Sequence, residues 1–252
     1  MSFKLEGKKA FITGSTSGIG LAIAQKLEEY GCQVAINSKN KKSFNKAKTF
    51  FKKPVKFICG DMTSDTDSKN AIEEFIKYFG SLDILICNIG NGRSASPGKE
   101  LKGDWEKSIS INLLSATNPI SYSIGFLQKT SGVIICISSI CGDKMIENAP
   151  LTYSSIKAAL NRFVINSSYY FAKKNIRINA VSPGNVFFPG SIWEKKFLEN
   201  PNQINEMLHE KIPLKKFVAL EDISEAVAFL SSPLSKSTTG QILKIDAGQS
   251  VT

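Results

Sequence analysis

An α/β fold, a doubly wound parallel seven-stranded sheet with helices on both faces in a single domain over residues 1–252, is predicted by three features of the chain. Short apolar, β-branched runs alternate with longer amphipathic segments, the mark of repeated βαβ units. Glycines stand where the amphipathic segments stop. No repeat, low-complexity tract or Pro/Gly/Ser-rich linker divides the chain.

In chain order, strands are predicted at Ala10–Thr13, Val34–Asn37, Val55–Cys59, Ile84–Cys87, Val133–Ser138, Ile178–Val181 and Ile242–Ile245. Helices are predicted at Ile19–Tyr30, closed by Gly31, at Asp65–Phe79, closed by Gly80, and at Thr152–Lys173. Lys39–Lys53 holds seven lysines with Phe44, Ala47, Phe50 and Phe51 at near-helical spacing, which reads as an amphipathic helix with a solvated basic face. Pro183–Pro213 replaces a short connection with prolines, glycines and aromatics, and residues 185–214 are expected to form a lid over a site.

With 42% hydrophobic and 21% charged residues the chain is an ordinary globular protein, neither disordered nor fibrous. No run is long enough to span a membrane, and Met1–Gly7 lacks the apolar stretch of a secretory signal, so a cytoplasmic protein is expected. Five cysteines, an odd number without metal-ligand spacing, fit reduced thiols. Cys59, Cys87 and Cys136 are expected to be buried in strands, and Cys141 falls near the proposed chemistry. Lys and Arg exceed Asp and Glu by 32 − 22 = 10, which leaves nucleic acid, an anionic carrier protein, a membrane surface or plain surface charge open as readings. The single histidine, His209, lies in the expected lid with no strand-turn nucleophile near it in sequence, which disfavours a Ser-His-Asp hydrolase, and no metal site is expected.

The first strand runs into Thr13-Gly14-Ser15-Thr16-Ser17-Gly18-Ile19-Gly20. Glycines there let the backbone turn tightly and approach a pyrophosphate, whose charge suits the N–H groups of the helix start. The loop lacks the Gly-Lys-Ser/Thr ending of a triphosphate-hydrolysing loop. The second strand ends Asn37-Ser38-Lys39, where an NAD-binding site of Rossmann type would place an acid on the ribose 2′-hydroxyl. Ser38 and Lys39 suit a 2′-phosphate instead, with Ser15 as a further hydroxyl, so NADP(H) is expected over NAD(H).

Tyr153 and Lys157, four apart, share one helical face. A free phenol has a pKa of about 10, and a nearby ammonium favours its ionised form. Ser139, after the fifth strand, is placed to hold a substrate oxygen. Both groups follow carboxyl ends of strands, the edge where open α/β sheets bind ligands.

Taken together, Thr13-Gly14-x-x-x-Gly18-Ile19-Gly20, Asp61, Cys87-Asn88-Ile89-Gly90, Asn112, Ser139, Tyr153-x-x-x-Lys157, Asn179 and Ser182-Pro183-Gly184 resemble the short-chain dehydrogenase/reductase family over nearly the whole chain. The resemblance implies that Tyr153 is the acid/base, that Ser139 orients the carbonyl, that Lys157 binds the nicotinamide ribose and that Asn112 supports a proton-relay water. It also implies adenine contacts from Asp61 and Met62, a cleft lined by Asn88 and Gly90, and cofactor contacts at Pro183, Gly184 and, through its main chain, Val186. Two departures stand out. Ile89 replaces the family's usual alanine, and Asn185-Val186-Phe187-Phe188 omits the threonine that usually holds the carboxamide.

Among similar proteins 3-oxoacyl thioester reductases are common, which implies an acyl carrier protein as partner, with Lys129, Lys173 and Lys174 as contacts. A sugar, polyol or steroid dehydrogenase is the alternative, and a non-catalytic nucleotide-sensing or nucleic-acid-binding protein is a further one. The resemblance also implies a homotetramer formed through helices near Asp104–Ile124 and Thr152–Lys173.

Overall fold

The computed structural model describes residues 3–251; Met1, Ser2 and Thr252, the ends of the domain expected over 1–252, lie outside the described residues. Strands β1 (Lys9–Ile12), β2 (Gln33–Ser38), β3 (Lys56–Cys59), β4 (Ile84–Cys87), β5 (Val133–Ile137), β6 (Arg177–Pro183) and β7 (Ile242–Ile245) form one parallel sheet in the order β3-β2-β1-β4-β5-β6-β7. The predicted strands agree with these to within two residues at each end. Helices are α1 (Gly18–Glu29), α2 (Lys41–Ala47), α3 (Asp65–Phe79), α4 (Lys102–Ile109), α5 (Ser115–Thr130), α6 (Leu151–Ala172), α7 (Ile192–Glu199), α8 (Pro201–Lys211) and α9 (Leu220–Ser231).

Side chains of successive strand residues point to opposite faces, so the sheet separates two cores. Ile12, Ile36, Ile86 and Ile135 join one core with α1 and α9, and Phe11, Leu85, Ile134 and Cys136 join the other with α3, α5 and α6. Both faces being covered explains why β4 and β5 read as unbroken apolar runs. The strand order reverses between β1 and β4, and the crevice at their carboxyl ends is where such sheets take ligands. Among the described residues no helix is long and apolar enough to cross a membrane.

Three expectations are corrected. The basic helix stops at Ala47 and continues only as a 3₁₀ turn, Lys48–Phe50. Phe44 stacks on Phe57 at 4.6 Å, but Phe50 is half exposed. Like-charged lysines with no acid among them weaken the helix, and the Thr49 hydroxyl donates to the Lys46 carbonyl at 2.8 Å. Cys59 is exposed, because β3 is the edge strand and its last residue emerges from the sheet. The helix expected over Asp104–Ile124 is broken by a π turn, Ser110–Leu114.

The 185–214 excursion is helical. Ser191 caps α7 by accepting from the Glu194 N–H, and Asn200 caps α8, with Pro201 as its first residue. Its aromatic residues pack on one another and on Phe217 just beyond it, Phe187 against Phe197 and Phe217, and Trp193 against Phe217. Lys211 of α8 pairs with Glu147 at 2.7 Å, tying this segment to the loop before α6.

Candidate active site

The loop from β1 to α1 is built to present backbone. Gly14 and Gly18 hold left-handed φ of +59° and +55°. A Cβ on Gly14 would stand 2.6 Å from Ile89 Cγ1, and one on Gly20 2.4 Å from Asn88 Nδ2, so neither position admits a side chain. Asn37 accepts from the Gly14 N–H at 3.1 Å and donates to the Ile58 and Gly60 carbonyls, both at 3.1 Å. Asn88 donates its side-chain N–H groups to the Thr13 and Gly14 carbonyls at 3.1 and 3.0 Å, so it pins the loop.

Ser15 is also corrected. Its buried hydroxyl donates to the Ile12 carbonyl at 2.6 Å and accepts from the Asn37 N–H at 3.0 Å, which leaves nothing for a 2′-phosphate. Thr16 is partly buried, Ser17 is exposed, and Ile19 packs against the core. Ser17 begins α1 in extended conformation without a side-chain cap, and the first turn has no acid. Uncapped N–H groups and the positive helix end there fit a pyrophosphate. Above Gly18 lies Phe188, whose Cε2 would be 2.9 Å from a Cβ built on that glycine.

At the other end of the loop, the Ser38 hydroxyl accepts from the Asn40 N–H at 3.1 Å and pairs with the Ser43 hydroxyl at 3.0 Å. Lys39 reaches Asp61 at 3.3 Å. Burial pushes the Asp61 carboxyl up, but hydrogen bonds from the Thr63 N–H and hydroxyl, with Lys39 alongside, outweigh it and hold the group below its usual range. Met62 buries its whole side chain in the core, so only its main chain remains for an adenine ring.

Asn112, Ser139, Tyr153 and Lys157 converge at the carboxyl edge of β4 and β5. Asn112 stands in the π turn, the kind of extra residue in a helix that recurs at functional sites. Its amide clamps Asn91, accepting from the N–H at 2.8 Å and donating to the carbonyl at 3.1 Å. The Ser139 Oγ accepts from the Cys141 N–H at 3.2 Å. Lys157 is almost wholly buried, with Nζ donating to the Ile137 carbonyl at 2.8 Å and lying 5.8 Å from the Tyr153 ring centre.

Burial pushes the Tyr153 phenol up to about 12, against a hydrogen bond with Ser139 that lowers it. Burial also pushes the Lys157 ammonium down to about 8, partly offset by Cys136 and Cys141. Burial of the phenol itself thus outweighs the Ser139 hydrogen bond and holds Tyr153 above its ordinary range.

Gly90 is one of the expected cleft residues, whereas Gly92, Gly142 and Asn91 escaped the sequence reading. Gly90 leaves room for Lys157 Nζ and Asn112 Oδ1, which would stand 3.0 and 3.3 Å from a Cβ there. Gly92 lies flat on the Tyr153 ring, and Gly142 lies against the Lys157 main chain, where a Cβ would meet the carbonyl carbon at 2.6 Å. Isolated glycines and Asn91 carry no local signal of these contacts. Gly184 abuts Asp246, and Pro183 ends β6. The Val186–Val218 bridge is bonded through Asn185 and Phe187, so the Val186 main chain is not used by it. Lys129, Lys173 and Lys174 are exposed, but the last two follow the far end of α6, about 30 Å from Tyr153 at 1.5 Å per residue.

A family model described as enoyl-(acyl carrier protein) reductase matches residues 14–250. The chain is similar to glucose 1-dehydrogenase of Gluconobacter oxydans, 30% identical over 97% of this chain and 92% of that one. It is equally similar to a 3-oxoacyl-(acyl-carrier-protein) reductase of Thermotoga maritima, 30% identical over 97% and 98% of the two chains. Among solved structures, a 7α-hydroxysteroid dehydrogenase complexed with NADH and 7-oxo glycochenodeoxycholic acid superposes with a TM-score of 0.89 at 26% identity, covering 98% of this chain and 96% of that one.

Proposed function

The chain belongs to the short-chain dehydrogenase/reductase family of oxidoreductases, and on that premise we propose that it moves a hydride between NADP(H) and a carbonyl or alcohol with Tyr153 as acid/base. The convergence of Tyr153, Lys157, Ser139 and Asn112 at one sheet edge carries the reading. The nicotinamide, when bound, supplies or accepts the hydride. Ser139 holds the substrate oxygen through its hydroxyl. Tyr153 gives that oxygen a proton during reduction and removes one during oxidation. Lys157 holds the cofactor ribose, and Asn112 keeps the loop at Asn91 in place and supports a relay water.

Gly14, Thr16, Ser17, Gly18, Ile19 and Gly20 would cradle the pyrophosphate, Ser38 and Lys39 the 2′-phosphate, and Asp61 with the Met62 main chain the adenine. Gly90, Pro183, Gly184 and Val186 would line the nicotinamide end. NADP(H) is favoured because β2 ends without an acid, and Lys39 extends from that end.

A 3-oxoacyl thioester is the favoured substrate, supported by the acyl-carrier-protein reductase relatives and the net charge of +10. Lys129, Lys173 and Lys174 serve a carrier protein only if they reach a neighbouring subunit's cleft. Exposed Ile109, Leu114, Leu151, Ile165 and Tyr169 on the α4–α6 side suit burial in a homotetramer. Comparing kcat/KM for NADPH and NADH on acetoacetyl thioester, sugars and steroids tests the whole reading. An NADH preference overturns the cofactor, and negligible thioester reduction at low and high salt overturns the substrate class.

A further inference from the structure

The loop that rests on Tyr153 also lines a cavity of about 250 Å³, walled by Arg93, Ser94, Asp104, Lys107, Ser108 and Asn112. Its floor is already satisfied. Asn112 Nδ2 donates to the Ser108 Oγ at 3.2 Å, Ser108 donates to the Thr152 carbonyl at 3.1 Å, and the Thr152 and Ser94 hydroxyls pair at 3.0 Å. The two cations on the wall are different. Among the described residues neither Arg93 nor Lys107 has a carboxylate within ion-pair distance. Asp104, the one acid of the wall, spends Oδ2 on the Leu101 N–H at 2.9 Å, capping α4.

Two cations from different elements, a loop and a helix, thus flank a polar hollow with a surplus of one positive charge (2 − 1). A guanidinium fork and an ammonium lining one hollow match a carboxylate or a phosphate. The same loop connects the hollow to the chemistry: Gly92 lies on the Tyr153 ring, and the next residue, Arg93, lines the cavity. We propose that this cavity binds the anionic end, carboxylate or phosphate, of the substrate whose carbonyl meets Tyr153. The proposal rests on Tyr153 being the reacting group, but its first test does not.

Inorganic phosphate and acetate are titrated separately, by calorimetry, into protein saturated with whichever dinucleotide it binds, so that the pyrophosphate loop is filled. Saturable binding of either ion is expected, the tighter one identifying the group. Arg93→Gln or Lys107→Gln should weaken it about tenfold, the value of one charge-assisted hydrogen bond. Asp104→Asn, which keeps the cap acceptor, should tighten it about threefold by removing the wall's negative charge. Binding that fails to saturate below roughly 0.1 M, or that is unchanged in both cation variants, overturns the proposal. With a carboxylated carbonyl substrate, the two cation variants should raise KM and leave kcat alone, whereas its methyl ester should show no such rise. Ion binding without turnover of any carbonyl would instead overturn the redox reading and leave the anion site standing.

Discussion

The two ends of the cleft use their polar groups in opposite ways. At the phosphate loop, Ser15, Asn37 and Asn88 are spent on neighbouring backbone, so what faces the ligand is main chain and a helix end. The cluster of Asn112, Ser139, Tyr153 and Lys157 presents side chains, and two of them are held away from their ordinary pKa by burial. Binding there is a property of backbone shape, and chemistry a property of desolvated side chains. Substitutions at the first end should therefore act on stability and cofactor affinity, and those at the second on rate.

The largest effect expected is that of Tyr153→Phe, which removes the acid/base and should lower kcat by about 10³-fold. NADPH affinity, measured by fluorescence titration, should stay within about twofold, because the loop is untouched. A parallel loss of affinity would erase the distinction between the ends.

Lys157→Met tests the desolvated end through pH. The folded pKa of about 8 lies below the unfolded 10.5, so between those values the unfolded chain binds more protons and wild-type stability rises with pH. Below pH 8 the buried ammonium costs the fold on the order of 3 kcal/mol, and above 10.5 that cost is gone. Urea denaturation should show the stability of Lys157→Met relative to wild type falling by about that amount from pH 8 to 10.5. A flat difference would mean that the lysine is not desolvated.

At the loop end, Asn37→Ala leaves the Gly14 N–H and the Ile58 and Gly60 carbonyls without their partner. A loss of about 2 kcal/mol is expected by urea denaturation, together with weaker NADPH binding. Unchanged affinity would show that the loop holds its shape without Asn37.

The same contrast explains what was legible in the chain. Strand runs and the helix-closing Gly31 and Gly80 are local patterns, and they place the sheet and its carboxyl edge. Tyr153 and Lys157, spaced by four, follow from helical periodicity. The fates of Ser15 and Asn88 could not be read so, because a hydroxyl or amide near a ligand loop looks the same whether it faces the ligand or the backbone behind. Nor could the direction of the Tyr153 shift, which depends on how deeply the phenol itself is buried. The π turn that aims Asn112 was equally hidden, since Ser110–Leu114 reads as continuous helix.

Cofactor choice is the next effect in size. Lys39→Glu puts a carboxylate beside Asp61 and against a 2′-phosphate, and should shift the ratio of kcat/KM for NADPH over NADH about tenfold toward NADH. Lys39 is largely exposed, so the shift should shrink with added salt. No shift at low salt would place the 2′-phosphate elsewhere.

The smallest effect expected belongs to Phe188, where the two ends meet. Its ring lies over Gly18, one of the residues proposed to cradle the pyrophosphate. On that proposal, binding moves a partly buried ring, at a cost of about 1 kcal/mol of apolar contact. Phe188→Thr removes the ring and leaves only a short side chain with a hydroxyl on its Cβ. NADPH should then bind about fivefold tighter, with thermal stability slightly reduced because the lid loses packing. Tighter binding from a substitution that weakens the fold would locate the obstacle in the lid, not in the loop; unchanged affinity would mean that the ring already lies clear of the cofactor's path.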